Sequence, residues 1–385
     1  MPGFALEPAQ LTWCEELRTL AEERLRPLAE KGGSGELNRP LVAALGELGL
    51  LERLFTSGAL DLCLMRESLA RGCTEAETAL ALQGLGAAPV ARAGTDEQRA
   101  RWMPGVRAGR VVAGFALSEP GAGSDAAALA LAAEPEPGGD AGSGAGGGTG
   151  SGAGGWRLSG EKCWISNAPY ADFYTVFART TPGAGARGIT AFLVPADRPG
   201  LTGTALDMLS PHPIGTLAFD GVRVTAADVV GAPDKGFRVA MDTLNLFRPS
   251  VGAFAVGMAQ AALDATLAHT AGRTAFGGPL KDLQSVSHRV AEMATRTEAA
   301  RLLVYAAAAA YDRNEPGVPK SSAMAKLFAT EAAQFVVDSA VQLHGARALQ
   351  RGHLLEHLYR EVRATRIYEG ATEVQRTIIA KELYA

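Results

Sequence analysis

Apolar residues recur at helical spacing up to about residue 110. Leu11, Leu17, Leu20, Ala21 and Leu25 form one stripe with charges between them, and further stripes follow at Leu41, Leu45 and Leu48, at Leu62, Leu64 and Leu69, and at Leu80, Leu82 and Leu85. Thr95-Asp96-Glu97-Gln98 is a capping box that predicts a helix running through Trp102 to Val106. The pattern changes near residue 111. Val111 to Leu117 is a short apolar run, while Tyr174 to Phe177 and Ile189 to Val194 are rich in β-branched and aromatic residues. Leu217 and Phe219 lead to an expected Asp220-Gly221 turn before Val222-Arg223-Val224. From Gly236 onward helical periodicity returns, with breaks at 272–279, 315–319, 345–352 and 369–370.

Helices, then strands, then helices describe an α+β multidomain chain rather than alternating β-α units, which argues against a Rossmann or barrel fold. The expected division is a helical domain over 1–110, a β-barrel or sandwich domain over 111–233 and an antiparallel helical bundle over 234–385. Eleven of the eighteen residues from Gly138 to Gly155 are glycine, so 138–155 reads as a flexible surface insertion joining two strands.

Composition narrows the class. A chain of 385 residues, 47% of them hydrophobic, can bury a large core. The net charge of −4 and the lack of basic blocks give no reason to expect nucleic acid or an anionic membrane. The opening residues do not read as a basic and apolar leader, and no apolar run approaches the length expected of a membrane span. Cys14, Cys63, Cys73 and Cys163 are scattered without a C-x-x-C pair, as in a reduced cytoplasmic protein.

Two short motifs invite other readings. Gly121-Ala122-Gly123-Ser124-Asp125-Ala126 fits a dinucleotide fingerprint. Pro120 and Glu119 separate it from the preceding strand, however, and the expected acidic partner would fall in the glycine tract, so a Pro-Gly turn is the better reading. His353-Leu354-Leu355-Glu356-His357 matches an inverted zinc-protease pattern. It lacks an evident third ligand and is crowded by Arg351, Arg360 and Arg363, so no metal is expected.

The stronger signal is five motifs in order. They are Phe115 to Asp125 (FALSEPGAGSD), Gly160 to Asn167 (GEKCWISN), Arg273 to Leu280 (RTAFGGPL) with Gln284, Gln342-Leu343-His344-Gly345, and Arg366 to Arg376 (RIYEGATEVQR). With Leu45 to Leu51 near the start, they make the whole chain resemble the acyl-CoA dehydrogenase family. That resemblance implies a C-terminal four-helix bundle, bound FAD, an acyl-CoA or other acyl thioester substrate, an electron-transfer flavoprotein as acceptor, and a homotetramer or homodimer. The implied reaction converts the acyl thioester to the 2-enoyl thioester by loss of an α-proton and a β-hydride.

An α C–H beside a thioester is a weak acid, so its base must be desolvated and the carbonyl polarised. Burial of a carboxylate raises its pKa and meets the first need. Glu369, between Tyr368 and Gly370, matches the family base, with its backbone N–H expected to hold the thioester oxygen. Phe247 occupies the position just before Arg248 where some members place the base. Phe115, Leu117 and Ser118 match residues beside the flavin ring, Trp164 one that packs on it, and Ser166 a donor to its polar edge. Gly123, Ser124, Ile165 and Glu373 complete that set of cofactor contacts. Arg273 matches a contact to the pyrophosphate of a neighbouring subunit's FAD, and Phe276, Gln284, Gln342 and Gly345 match positions near the adenosine. Ser124, Asn245, Arg248, Tyr368 and Gly370 match substrate contacts. Ala346, Ala371, Asn245 and Pro211-His212-Pro213 depart from the usual pattern, which leaves the acyl group and its carrier open. A carrier-protein-bound acyl or aminoacyl substrate, and a flavin oxidase on the same scaffold, remain alternatives.

Overall fold

A computed structural model describes residues 6–136 and 155–384; all of the glycine-rich stretch except Gly155 lies outside them. The chain forms two compact units that do not follow chain order. A helical unit gathers Met1–Gly32, Thr56–Ala81 and Leu244–Ala385, and a sheet unit gathers Gly33–Phe55 and Leu82–Thr243.

The helices up to residue 107 are α1 (Pro8–Leu20), α2 (Arg26–Ala29), α3 (Arg39–Glu47), α4 (Leu50–Thr56), α5 (Ala59–Gly72), α6 (Thr74–Ala93) and α7 (Asp96–Arg107). The capping box forms: Thr95 Oγ1 accepts from Gln98 N–H, and Gln98 Oε1 accepts from Thr95 N–H. In the sheet unit follow β1 (Ala113–Ala116), β2 (Ala132–Pro135), β3 (Trp156–Ser166), β4 (Phe173–Arg179), β5 (Ile189–Pro195), β6 (Leu201–Ala205), β7 (Ile214–Val224) and β8 (Val229–Val230). They make an eight-stranded sheet in the order β6-β7-β3-β2-β4-β5-β8, with β1 parallel to β4.

One expectation fails here. Asp220-Gly221 does not turn the chain; β7 runs through it, paired with β3 to the end. Gly221 takes its positive φ of 60° in place, and the β3–β7 register shifts between Leu158 and Gly160. A bulge has absorbed the turn-forming residues without ending the strand.

The remaining elements are α8 (Gly236–Gly272), the short hairpin β9 (Thr274–Ala275) and β10 (Gly278–Pro279), α9 (Gln284–Asp312), α10 (Val318–His344), α11 (Leu354–Thr365) and α12 (Thr372–Leu383). Their ends fall at the Gly and Pro breaks read from the sequence. Contrary to that reading, α8 is long and apolar enough to cross a membrane by length and composition. However, 72% of its most apolar 18-residue window is buried inside the protein, as befits a core helix.

The core of the helical unit combines Phe254, Met258, Met293, Val304, Val337 and Leu358 with many alanines, among them Ala255, Ala308, Ala329 and Ala333. Small side chains allow close helix approach. At Gly257 on α8, an added Cβ would lie 2.4 Å from the Glu67 carbonyl oxygen on α5. Gly257→Ala should therefore destabilise the protein by about 1–3 kcal/mol through overpacking, despite alanine's better helix propensity. A lowered denaturant midpoint would register this, and an unchanged or raised midpoint would count against it.

Candidate active site

Glu369 lies between α11 and α12 in a turn held from several sides. Glu369 and Gly370 have φ values of 50° and 92°, so successive residues are left-handed. Gly370 tolerates this freely, whereas Glu369 bears a cost of about 1–2 kcal/mol. Thr372 N–H donates to Arg366 O at 3.1 Å and closes the turn. Arg366 donates through Nε to Glu331 Oε1 at 3.0 Å, and Thr372 Oγ1 donates to the same oxygen at 3.0 Å. The Gly370 carbonyl accepts from Lys326 Nζ and from Gln375 Nε2, each at 2.8 Å. The spacing Thr372-Glu373-Val374-Gln375 suggests a capping box at the start of α12, but that cap does not form. Ala371 holds the N-cap position, and both side chains are spent on the turn.

The Glu369 carboxyl is buried with one oxygen left open. Its Oε2 is buried and has no hydrogen-bond partner among the described residues. Burial pushes the carboxyl above its ordinary range, while Arg66, Lys326 and Arg248 pull it down. Arg66 on α5 pairs through Nε with Glu77 Oε1 on α6, and its Nη1 donates to Ser250 Oγ at 2.7 Å. Burial opposes the Arg66 charge, but Glu77, Glu369 and Tyr368 outweigh it and the net shift is upward. Arg248 is 6% exposed, and its Nη1 donates to Asn245 Oδ1 at 3.1 Å. Arg248 Nε is buried without a partner among the described residues. Burial raises the Tyr368 hydroxyl well above its usual value. The helical unit thus brings Glu369 together with Tyr368, Gly370, Asn245 and Arg248, while Phe247 is a buried apolar side chain. Sequence reasoning missed Arg66, Glu77 and Lys326. The one local signal was a charge within an apolar helical stripe, as at Ala325-Lys326-Leu327.

In the sheet unit the motif around Phe115 lies beside the motif around Trp164. Cys163 N–H donates to Ser118 O at 3.0 Å, and Lys162 Nζ donates to Leu117 O at 2.9 Å. Phe115 packs against Phe177 with ring centroids 5.0 Å apart, and Ile165 is buried. Trp164 sits where the β3–β7 register shifts again, with φ 58°, which leaves its indole 49% exposed. Gly121 lies within, and Gly123 just after, a tight turn in which Glu119 and Ala122 exchange backbone hydrogen bonds at 3.2 and 3.0 Å, with Ser124 exposed beside it. Lys162 and Glu119, both in quoted motifs, form a buried ion pair that the sequence had not singled out.

A third group gathers at one end of the helical unit. His269 on α8 stacks on His344 of α10 at 4.1 Å, which places Arg273 near Gln342 and Gly345. Phe276, at φ 54° in the hairpin, is 93% exposed, and Gln284 opens α9. Glu373 is not in this group; it lies on α12 near the Glu369 turn, 3.5 Å from Arg376 Nη1. The zinc-like pattern is used otherwise. His353 Nδ1 accepts from Leu355 N–H, and His357 Nε2 lies 2.6 Å from Thr74 Oγ1.

Family models for the acyl-CoA dehydrogenase N-terminal, middle and C-terminal domains match residues 7–110, 114–222 and 234–384. The chain belongs to the acyl-CoA dehydrogenase family. It is 35% identical over 382 residues to cyclohexane-1-carbonyl-CoA dehydrogenase of Geobacter metallireducens, covering 96% of both chains. It is 37% identical over 378 residues to the mitochondrial short-chain specific acyl-CoA dehydrogenase of Bos taurus, covering 95% of this chain and 88% of that one. The structure of butyryl-CoA dehydrogenase from Megasphaera elsdenii matches with a TM-score of 0.88 at 30% identity, over 99% of this chain and all of that one. This acyl-CoA dehydrogenase is an FAD-dependent oxidoreductase. The sheet unit suits that cofactor, because the half-exposed Trp164 indole has no ring partner among the described residues and offers a flat face for a flavin. Ser166 lies two residues on along the same strand, and Leu117 and Ser118 are hydrogen-bonded to Lys162 and Cys163, just before Trp164.

Proposed function

We propose that Glu369 removes the α-proton of a short or cyclic acyl-CoA during its oxidation to the 2-enoyl-CoA. The observation that carries this reading is the buried, unpartnered Glu369 Oε2 in a turn fixed on both sides. The α C–H bond breaks, the carboxylate takes the proton, and the electron pair becomes enolate charge on the thioester. Glu369 N–H makes no hydrogen bond within the described residues, so it is free to donate to that developing oxyanion. FAD, when bound, supplies the acceptor for the β-hydride.

Two observations support a small acyl group. Glu369 and Tyr368 act on the Arg66 of the buried Arg66–Glu77 pair, so charge rather than a purely apolar lining surrounds the base, which suits a small acyl group better than a long alkyl chain. The two relatives named above are a short-chain and a cyclohexane-carbonyl enzyme. Phe276, exposed beside Arg273, supports a homotetramer in which a second subunit covers the hairpin. We further read the enzyme as cytoplasmic from its scattered free cysteines, and as passing its electrons to an electron-transfer flavoprotein, as its family resemblance implies.

Anaerobic addition of butyryl-, cyclohexanecarbonyl-, octanoyl- and palmitoyl-CoA to the purified holoenzyme tests the substrate reading. The first two should bleach the flavin absorbance fastest. Fastest bleaching by palmitoyl-CoA would overturn the small-substrate reading.

A further inference from the structure

We propose that Lys326 is a positioning residue for the base, latching the Glu369-Gly370 turn through the Gly370 carbonyl and setting a cation beside the carboxylate. The inference rests on Glu369 being the base. Lys326 is fully buried on α10, and its Nζ donates to Gly370 O at 2.8 Å. Gln375 Nε2 donates to the same oxygen from α12. Two donors from different helices converge on one carbonyl next to the left-handed Glu369, so the backbone conformation that aims the carboxylate is fixed from outside the turn.

The charge has a clear direction as well. Four charged groups act on Nζ: Glu369 from the turn, Arg248 from α8, Glu331 from its own helix and Glu373 from α12. Glu331 already serves Arg366 and Thr372, and Glu373 lies against Arg376. Glu369 is the first of the four in strength. Burial lowers the Lys326 pKa to about 8, so a cation is kept here at a desolvation cost that an apolar residue would avoid. A strained turn, a buried ammonium and a carboxylate with an open oxygen form one unit, in which Lys326 comes from 43 residues before Glu369 in the chain.

Exchange of the α-protons of 3-thiabutyryl-CoA with deuterated water, on the FAD-loaded enzyme, isolates the base, because this thioester has sulfur in place of its β-carbon and no hydride to give. Lys326→Met should retain FAD yet slow exchange at neutral pH by about tenfold or more. The acid limb of the exchange-against-pH profile should move to higher pH, since a carboxyl stripped of a neighbouring cation holds its proton longer. Lys326→Gln keeps an N–H donor on a side chain one bond shorter, but no charge. It should show the same displaced limb with a higher plateau, and it serves where the methionine variant does not fold. Wild-type rates and an unmoved limb in the neutral variants, beside an inactive Glu369→Gln, would overturn the role of Lys326. Exchange surviving in Glu369→Gln would instead refute the assignment of the base.

Discussion

Glu369→Gln is expected to keep its FAD and its fold while losing about a thousandfold or more in the rate of flavin reduction by acyl-CoA. The amide is nearly isosteric, so the turn hydrogen bonds to Gly370 and Thr372 are untouched, but it cannot accept a proton. The wild-type rate should also depend on pH in one direction. The base works only when deprotonated, and burial holds its carboxyl above the ordinary range against Arg66, Lys326 and Arg248. Activity is thus lost as pH falls through that raised value, and the acid limb should lie above the pH at which an exposed glutamate titrates. Stopped-flow reduction across pH, wild type against variant, checks both statements. A variant that retains a tenth of the wild-type rate would remove Glu369 from its role.

The parts of this enzyme that were legible in its sequence are those governed by neighbours in the chain. Thr95 and Gln98 are three residues apart and cap each other as read, and Gly272 and Pro319 sit at or near the helix breaks they predicted. Glu369 could be singled out because its motif lies in one run with Tyr368 and Gly370. What sequence did not reveal depends on residues far apart. Arg66 meets Ser250, and Lys326 meets Gly370, only once α5, α8, α10 and the final turn have packed, and no spacing rule joins such positions. The Asp220-Gly221 pair failed for a related reason: its local preference for a turn was real, but continuous pairing of β7 with β3 converted it into a bulge. Thr372 likewise obeyed a charged partner, Glu331, over the cap its own neighbourhood suggested.

Lys162→Met should be the most damaging single change in the sheet unit, costing about 3–5 kcal/mol. Lys162 is fully buried, and its Nζ donates to Glu119 Oε1 at 2.7 Å and to Leu117 O at 2.9 Å. Glu119 also accepts from Ala130 N–H at 2.6 Å and Leu131 N–H at 2.9 Å, so its carboxylate is fixed in place and cannot turn to water. Methionine fills the lysine stem but leaves a buried anion without its cation and a carbonyl without its donor. That carbonyl belongs to Leu117, between Phe115 and Ser118, so the same variant should bind FAD more weakly as well as melt earlier. Pairing it with Glu119→Gln removes the orphaned charge and should recover part of the stability, whereas two purely additive losses would show that the ion pair is not the cause. The pH dependence gives an independent check. Burial lowers the Lys162 pKa from 10.5 to about 8, so between these values the unfolded chain holds a proton that the folded protein has released. Stability from this group therefore rises with pH across that window, and the methionine variant, with nothing to titrate at 162, should rise less steeply than the wild type.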